Sequence, residues 1–388
     1  MIRLRLKRMS VSLSRLAPVI YAFSLILMSA CLNVAEDRIA RESRVGRAQL
    51  RESGMSVEVR DGLAAIRGLS VEGERAQLWL WSQAPSLEIK LTLSDMSPIR
   101  SLDLRLSNVM RDSELSWSSG ELSRDEMLTF DLPTEAHAMV GLSERVNTFH
   151  LKPPPPVLGE PWRFALFADV QERIDGLSEL LRPLGLEPEV RFALISGDLT
   201  ERGSVEALTT FQEQMAQHVP FPCYATLGNH ELGTSGFPFY DLFGRGSFSF
   251  TYGEARFTLL DGASASIAPS VRRMLDRWLD QSQDQLHVIA THIPLIDPDG
   301  TRGGAFASRL ESAALLSDLS AHDVDLLLYG HVHTYRYFYQ AGIPAVISGG
   351  GGSIPMRFDG IGRHYVVFEV DRARAHITHR VAEITPAE

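Results

Sequence analysis

Cysteine is nearly absent from this chain of 388 residues, which holds only Cys31 and Cys223. A disulfide framework is therefore excluded, and the fold must rest on buried apolar side chains. An apolar share of 44% at this length suffices for two cores, so two domains are expected. An excess of basic charge is missing as well. The formal net charge is −10, which excludes the basic footprint that a duplex nucleic-acid partner would demand. Acidic residues are missing from residues 1–30, where Arg3, Arg5, Lys7, Arg8 and Arg15 gather around the start of an uncharged run, Leu16 to Ala35. A basic cluster before an apolar run is the pattern of an export signal, so residues 1–30 are read as a signal peptide outside the fold.

Within that run, Leu27-Met28-Ser29-Ala30-Cys31 resembles a bacterial lipoprotein lipobox, with Met28 where such boxes usually have Leu. The resemblance implies a lipidated Cys31. Plain secretion and an uncleaved signal anchor stand beside it, since the uncharged stretch has about the 20 residues needed to cross a bilayer. In all three cases the remaining chain is exported, because the positive flank stays in the cytoplasm. The expected location is the bacterial cell envelope, in the periplasm or on the outer surface, with the membrane reached through a lipid anchor or a signal anchor. Cys223 lies in an apolar segment and reads as a buried small hydrophobe.

Residues 45–150 show period-two alternation at Val57–Val59, Leu78–Trp81, Leu87–Leu93, Leu102–Leu106, Leu128–Leu132 and, more loosely, Val146–Leu151. That spacing predicts a small antiparallel β-sandwich. It gathers no cluster of ligand types, His137 and His150 being isolated, and so reads as a spacer or docking module. Pro153 to Pro156 form a stiff, extended run inside a linker over residues 151–160. Beyond it, over residues 161–388, apolar runs alternate with helical stripes such as Val205, Leu208, Phe211 or Gln212, Met215 and Val271, Met274, Leu275, Trp278, Leu279. This predicts an α/β layered domain. Strands without helices follow Tyr335, so the second sheet is expected to end antiparallel.

Five apolar runs of this second domain end alike. Phe164–Ala168 leads into Asp169, Phe192–Gly197 into Asp198, Tyr224–Gly228 into Asn229-His230, His287–Thr291 into His292, and Leu326–Gly330 into His331-Val332-His333. Ligands of α/β sheets bind in the crevice at the carboxyl ends of strands, so these side chains should converge. Mixed carboxylate, amide and imidazole donors suit Mn, Fe, Zn or Co. Glycines before Asp198, Asn229 and His331 would let the backbone turn and approach an ion without a Cβ clash.

Asp169-Val170-Gln171, Gly197-Asp198, Gly228-Asn229-His230-Glu231, Thr291-His292 and Gly330-His331-Val332-His333 together resemble the motif series of the calcineurin-like metallophosphoesterases. The resemblance covers about residues 160–385 and implies an α/β/β/α sandwich preceded by the small all-β domain. It also implies two divalent or trivalent metal ions. Site 1 would use Asp169, Asp198, His333 and Gln171, and site 2 would use Asp198, Asn229, His292 and His331, with Asp198 bridging. His230 would be the catalytic residue that stabilises the transferring phosphoryl group or protonates the leaving oxygen. Gln171 departs from the family, which usually has His there. Its neutral amide is a weaker donor that relays no protons, and the variant is similar to manganese-dependent ADP-ribose/CDP-alcohol diphosphatases.

The function so implied is metal-dependent hydrolysis of a phosphate ester or diphosphate by a metal-bridging hydroxide, on a phosphorylated small molecule. Two narrower or rival readings stay open: a nucleotide-type diphosphatase or phosphodiesterase, and a catalytically silent envelope binding protein with structural metals. Three further segments invite a role. Gly349–Gly352 form either an anion cradle or a tight turn. Pro294–Ser308, with Asp297, Asp299, Arg302, Gly303 and Gly304, is a substrate loop or a solvated one. Phe237, Phe239, Tyr240 and Phe243 read as packing rather than a base-stacking platform.

Overall fold

The computed structural model describes residues 38–384, apart from 158, 283–284, 302, 357–359, 372–373 and 375. The signal segment with Cys31, and Arg302, lie outside the described residues. Among the described residues no helix is long and apolar enough to cross a membrane.

Eleven strands occupy residues 47–152: β1 (Arg47–Leu50), β2 (Met55–Val59), β3 (Ala64–Glu72), β4 (Arg75–Ser82), β5 (Leu87–Leu93), β6 (Ser101–Ser107), β7 (Glu114–Ser119), β8 (Leu122–Glu126), β9 (Thr129–Leu132), β10 (Glu135–Gly141) and β11 (Val146–Lys152). They form two sheets, β1-β2-β5-β11-β7-β8 and β3-β4-β6-β10-β9. The alternating residues Val57, Ile89, Leu91, Leu104 and Leu106 point into one shared core. Each such side chain contributes about 1.5–3 kcal/mol by leaving water. The predicted sandwich is present, but it is not wholly antiparallel, because β4 pairs with β6 in parallel, Leu78 opposite Leu104. Several strands gave no alternation to read. A bulge between Ile66 and Gly68 breaks the period of β3, and β8 is nearly all exposed.

Eleven more strands follow: β12 (Trp162–Phe167), β13 (Val190–Ile195), β14 (Cys223–Ala225), β15 (Phe248–Tyr252), β16 (Ala255–Leu260), β17 (Leu286–Thr291), β18 (Leu326–Tyr329), β19 (Tyr335–Gln340), β20 (Ile343–Ser348), β21 (His364–Asp371) and β22 (His376–Glu383). One sheet runs β14-β13-β12-β21-β22 and the other β15-β16-β17-β18-β20-β19. Between them lies an aromatic core in which Phe164 stacks on Phe368 at 4.8 Å and Phe192 meets Phe257 edge-on at 5.1 Å. Helices α1 (Ser178–Gly185) and α2 (Val205–His218) cover the first sheet, Leu180, Leu208, Phe211 and Met215 packing on Phe167 and Ile195. Helices α3 (Pro269–Asp280) and α4 (Arg309–Ala321) cover the second with Val271, Leu275, Leu315 and Leu319. The architecture is thus α/β/β/α.

Ser204 and Ser308 start α2 and α4 by accepting hydrogen bonds from Ala207 N–H and Glu311 N–H. Val205, read as part of the α2 stripe, is instead exposed, since it sits at the first turn beyond the sheet edge. The returning strands divide between the sheets: β19 pairs antiparallel with β20, while β21 and β22 add to the first sheet antiparallel to β12 and to each other. Strands β12, β13 and β14 run parallel, as do β16, β17, β18 and β20, so their carboxyl ends lie on one side of each sheet.

Candidate metal centre

Asp169, Asp198, Asn229, His292, His331 and His333 leave those carboxyl ends and meet. Ligating atoms of Asp198, His292 and His331 all lie within 4.8 Å of one another. His292 Nε2 stands 3.2 Å from Asp198 Oδ2 and 3.1 Å from Asn229 Oδ1. His333 Nε2 stands 3.4 Å from Asp169 Oδ1, a buried oxygen with no hydrogen-bond partner among the described residues. The other Asp169 oxygen accepts the His331 N–H at 2.8 Å.

Each of the three imidazoles has its far nitrogen occupied. His292 Nδ1 donates to the Ser196 carbonyl at 2.7 Å, His331 Nε2 to the Gly303 carbonyl at 2.9 Å, and His333 Nδ1 to the Ile354 carbonyl at 3.0 Å. A carbonyl only accepts, so those nitrogens carry the protons and the opposite lone pairs are left to the cleft. Metal-binding histidines are oriented in this way. Nε2 of His292 then faces two oxygen acceptors. Only a proton or a cation between them satisfies all three.

Without a cation the protons shift accordingly. Burial alone would lower the His292 imidazole, but the charge and hydrogen bond of Asp198, with the charge of Asp169, push it up to about 9. Burial likewise opposes the ionised Asp198, yet His292 and His230 hold its carboxyl well below the usual carboxylate range. These residues fit metal ions: two carboxylates, an amide oxygen and three inward lone pairs converge around an unsatisfied oxygen.

Residues 163–335 match the calcineurin-like phosphoesterase family. They form a calcineurin-like phosphoesterase domain. That match supports a metal-dependent phosphoric ester hydrolase. Among curated proteins no sequence matches it. Its fold is similar to that of a purple acid phosphatase from yellow lupin (Lupinus luteus) seeds, at 13% identity and a TM-score of 0.51, covering 87% of this chain and 89% of that one. A dimetal phosphatase from Danio rerio aligns at 15% identity and a TM-score of 0.45, covering 58% of this chain and 100% of that one.

Sterics in the phosphoesterase domain account for its glycines. A Cβ on Gly228 would lie 2.0 Å from Asp198 Oδ1, and one on Gly330 would lie 2.7 Å from Asp169 Oδ2. Gly197 needs its freedom twice, for φ +88° and for its approach to Gly228 and His292. Asp169, Gln171, Asp198 and His331 also adopt positive φ, with values from 49° to 68°. Side chains other than glycine rarely do so, and the strain is concentrated where the cluster forms.

Gln171, expected as a metal ligand, is buried beside Asp198 and His333, and its amide is turned. Nε2 donates to Asp198 Oδ2 at 2.9 Å and Oε1 accepts from Ser353 Oγ at 2.9 Å. The oxygen that would bind an ion faces away because the carboxylate draws the NH2 group. His230 Nδ1 donates to the Glu201 carbonyl at 2.8 Å, and its Nε2 lies 3.8 Å from Asp198 Oδ2.

Other candidates sort themselves. The Gly349–Gly352 run is a packing seam rather than a cradle: Gly349 and Gly351 spend their N–H groups on Thr334 and Ala168 carbonyls, and any Cβ would strike Val332, His364, Ala168 or Arg173. The Pro294–Ser308 loop supplies the Gly303 carbonyl behind His331, and is fastened by Arg336 on Asp299. Phe237, Phe239, Tyr240 and Phe243 are buried packing, Phe239 stacked on Phe243 at 5.1 Å. His137 meets Asp131 at the surface. Cys223 is buried, and burial pushes its thiol up to about 12.

Sequence reasoning gave no role to Glu231 or Ser353. Glu231 is fully buried and accepts the N–H groups of Asp198, Thr200 and Gly228, bracing two ligand loops at once. Burial and the Asp198 charge raise its carboxyl to about 8, against the pull of those donors. An acid inside the Gly-Asn-His-Glu segment was the available signal. Ser353 had none.

Proposed function

We propose that the domain hydrolyses a phosphate ester or diphosphate of a phosphorylated small molecule at a two-metal centre. Asp169, His333 and Asp198 would hold one ion, joined by Gln171 once its amide turns, and Asp198, Asn229, His292 and His331 the other. The observation that carries this is the orientation of the three imidazoles, each tied to a backbone carbonyl, with His292 and His333 turning the other nitrogen onto Asp198 and Asp169 and His331 gathered with Asp198 and His292. Bound metals would supply Lewis acidity and a nucleophile active at neutral pH.

The chain's own groups supply the rest. Asp198 also accepts the His230 N–H at 2.9 Å, so the residue that gathers the ligands fixes the start of the His230 turn. With Nδ1 committed to the Glu201 carbonyl, Nε2 is the only His230 atom that can hold or release a proton toward the cleft. Water adds to phosphorus as the bond from phosphorus to the leaving oxygen breaks, that oxygen takes its proton from His230 Nε2, and the proton lost by the attacking water restores the one His230 gave up.

The test is hydrolysis of mono-, di- and cyclic nucleotide esters by the purified chain reloaded with Mn²⁺, Zn²⁺ or Fe after chelation. Metal-restored turnover supports the reading, with preference for nucleotide diphosphates favouring the Gln171 variant reading. Tight metal binding without turnover on any ester would favour a binding protein with structural ions.

A further inference from the structure

The described chain starts at a residue fixed to the site edge. Arg38 Nε and Nη2 both bond the Asp261 carboxylate at 3.2 Å, Nη1 bonds Ser264 Oγ, and the Arg38 and Asp261 side chains are each 6% exposed. Asp261 follows β16, whose last residue Leu260 is paired with Thr291 at the end of β17. Asp261 and His292 are therefore the next residues on adjacent parallel strands, about 5 Å apart across the sheet. Glu42 strengthens the attachment by accepting the Ser247 N–H, and Arg41 adds an ion pair to Asp241.

The uncharged run Leu16 to Ala35 ends three residues before Arg38. Three residues reach at most about 10 Å, and the seven from Cys31 about 25 Å. Any bilayer that takes up this run, or a lipid on Cys31, is thus held close to the edge that carries the metal centre.

Four apolar side chains on that edge meet solvent. Val205 at the start of α2 is 57% exposed, Leu310 at the start of α4 is 86% exposed, and Ile354 and Met356 beyond β20 are 77% and 42% exposed. Helices α2 and α4 each connect parallel strands, so their first turns lie at the carboxyl edge. Ile354 and Met356 lie beside His333, bonded to it through the Ile354 carbonyl and the Met356 N–H. A short tether and an apolar rim on one face are what a surface-docked protein requires.

We propose that this face, with Val205, Leu310, Ile354 and Met356 as its rim, seats on a lipid bilayer and opens the cleft onto phosphate carried by amphiphiles in that surface. The substrate class rests on the hydrolase reading above, whereas the docking does not.

The test uses the chain with its N-terminal 37 residues, reconstituted in phosphatidylethanolamine and phosphatidylglycerol vesicles. An NBD label is placed at Leu310→Cys, Ile354→Cys or Leu186→Cys, and the parent chain gives the background from the native cysteines. Leu186 is 83% exposed at the end of α1, on the opposite edge. Labels at 310 and 354 should shift to the blue and be quenched by doxyl groups on the acyl chains, while the label at 186 stays as in water. Quenching at 310 and 354 no greater than at 186 overturns the proposal. So does a blue shift without lipid quenching, which would mean that the chain's own N-terminal segment or a second copy covers the face. Hydrolysis of p-nitrophenyl phosphate by the same preparation reports the chemistry separately: an active enzyme with unquenched labels rejects docking alone, and quenched labels on an inactive enzyme reject the hydrolase reading alone.

Discussion

The side-chain amide of Asn108 makes both main-chain hydrogen bonds of Cys223: Nδ2 donates to the Cys223 carbonyl and Oδ1 accepts the Cys223 N–H, each at 2.8 Å. Gln83 does the same for Ala225, at 2.9 and 3.1 Å. Two amides of the N-terminal sandwich thus stand in for a neighbouring strand along β14, the open edge of its sheet. This edge strand leads directly to Asn229 and His230.

Replacing Asn108 by Leu leaves a buried N–H and a buried C=O unpaired, at about 1–3 kcal/mol each. Denaturant unfolding should show a loss of that order, with a fall in kcat as Asn229 and His230 loosen. Wild-type stability in the variant would show that the amide ladder does not brace β14.

Asp198→Ala should release metal and abolish activity together, because Asp198 faces His292, Gln171 and His230 at once. Metal analysis of the purified variant decides it. Two tightly held ions in that variant would rule out a bridging role.

His230→Asn should keep both ions and lower kcat by the order of 10²-fold to 10⁴-fold expected of a general acid. The defect should be largest on esters with poor leaving groups. Unchanged turnover on such an ester would remove His230 from the mechanism.

Gln171 and Ser353 form a hydrogen-bonded pair whose orientation would set one of the two proposed metal positions. Gln171→His should reduce the need for added Mn²⁺ after mild chelation, because imidazole is the stronger donor. Ser353→Ala frees the amide to turn its oxygen inward and should also change metal retention. If metal content and metal dependence stay the same in both variants and in Gln171→Ala, the amide is a bystander.

His287 gives the fold an acid-sensitive point away from the site. It is buried between Thr258 and Ser282, and burial, with the charges of Arg256 and His322, lowers its imidazole to about 3. The unfolded chain binds the proton near pH 6.5 and the folded one only near 3, so stability is lost as pH falls through that window. The full effect is about 5 kcal/mol. His287→Gln should flatten that part of the curve of unfolding free energy against pH, relative to wild type. An unchanged slope between pH 6 and 4 would show that other groups govern acid unfolding.

Much of this protein is legible residue by residue. Alternation at Leu87–Leu93 and Leu102–Leu106 is imposed by a sheet with one buried face, and a period of two survives any tertiary context that keeps that face buried. Apolar runs ending in Asp169, Asp198, Asn229-His230, His292 and His331 mark parallel strands, because only their carboxyl ends can present polar groups to a crevice. Strands such as β8 and β3 escaped notice where exposure or a bulge erased the period.

What the sequence determined by itself was therefore the donor set and the edge on which it lies, since these depend on residue type and on position within a strand. The tertiary structure decided how the donors are aimed. The carbonyls of Ser196, Gly303 and Ile354 select which nitrogen of each histidine faces inward, and every residue has a carbonyl, so no residue type announces the choice. The amide pairs of Asn108 and Gln83 on β14, the turned amide of Gln171 and the hold of Arg38 on Asp261 are of the same kind. Each joins segments far apart in the chain, and a hydrogen bond between such segments leaves no period or spacing in the sequence, because only the packing of the sheets brings its two ends together.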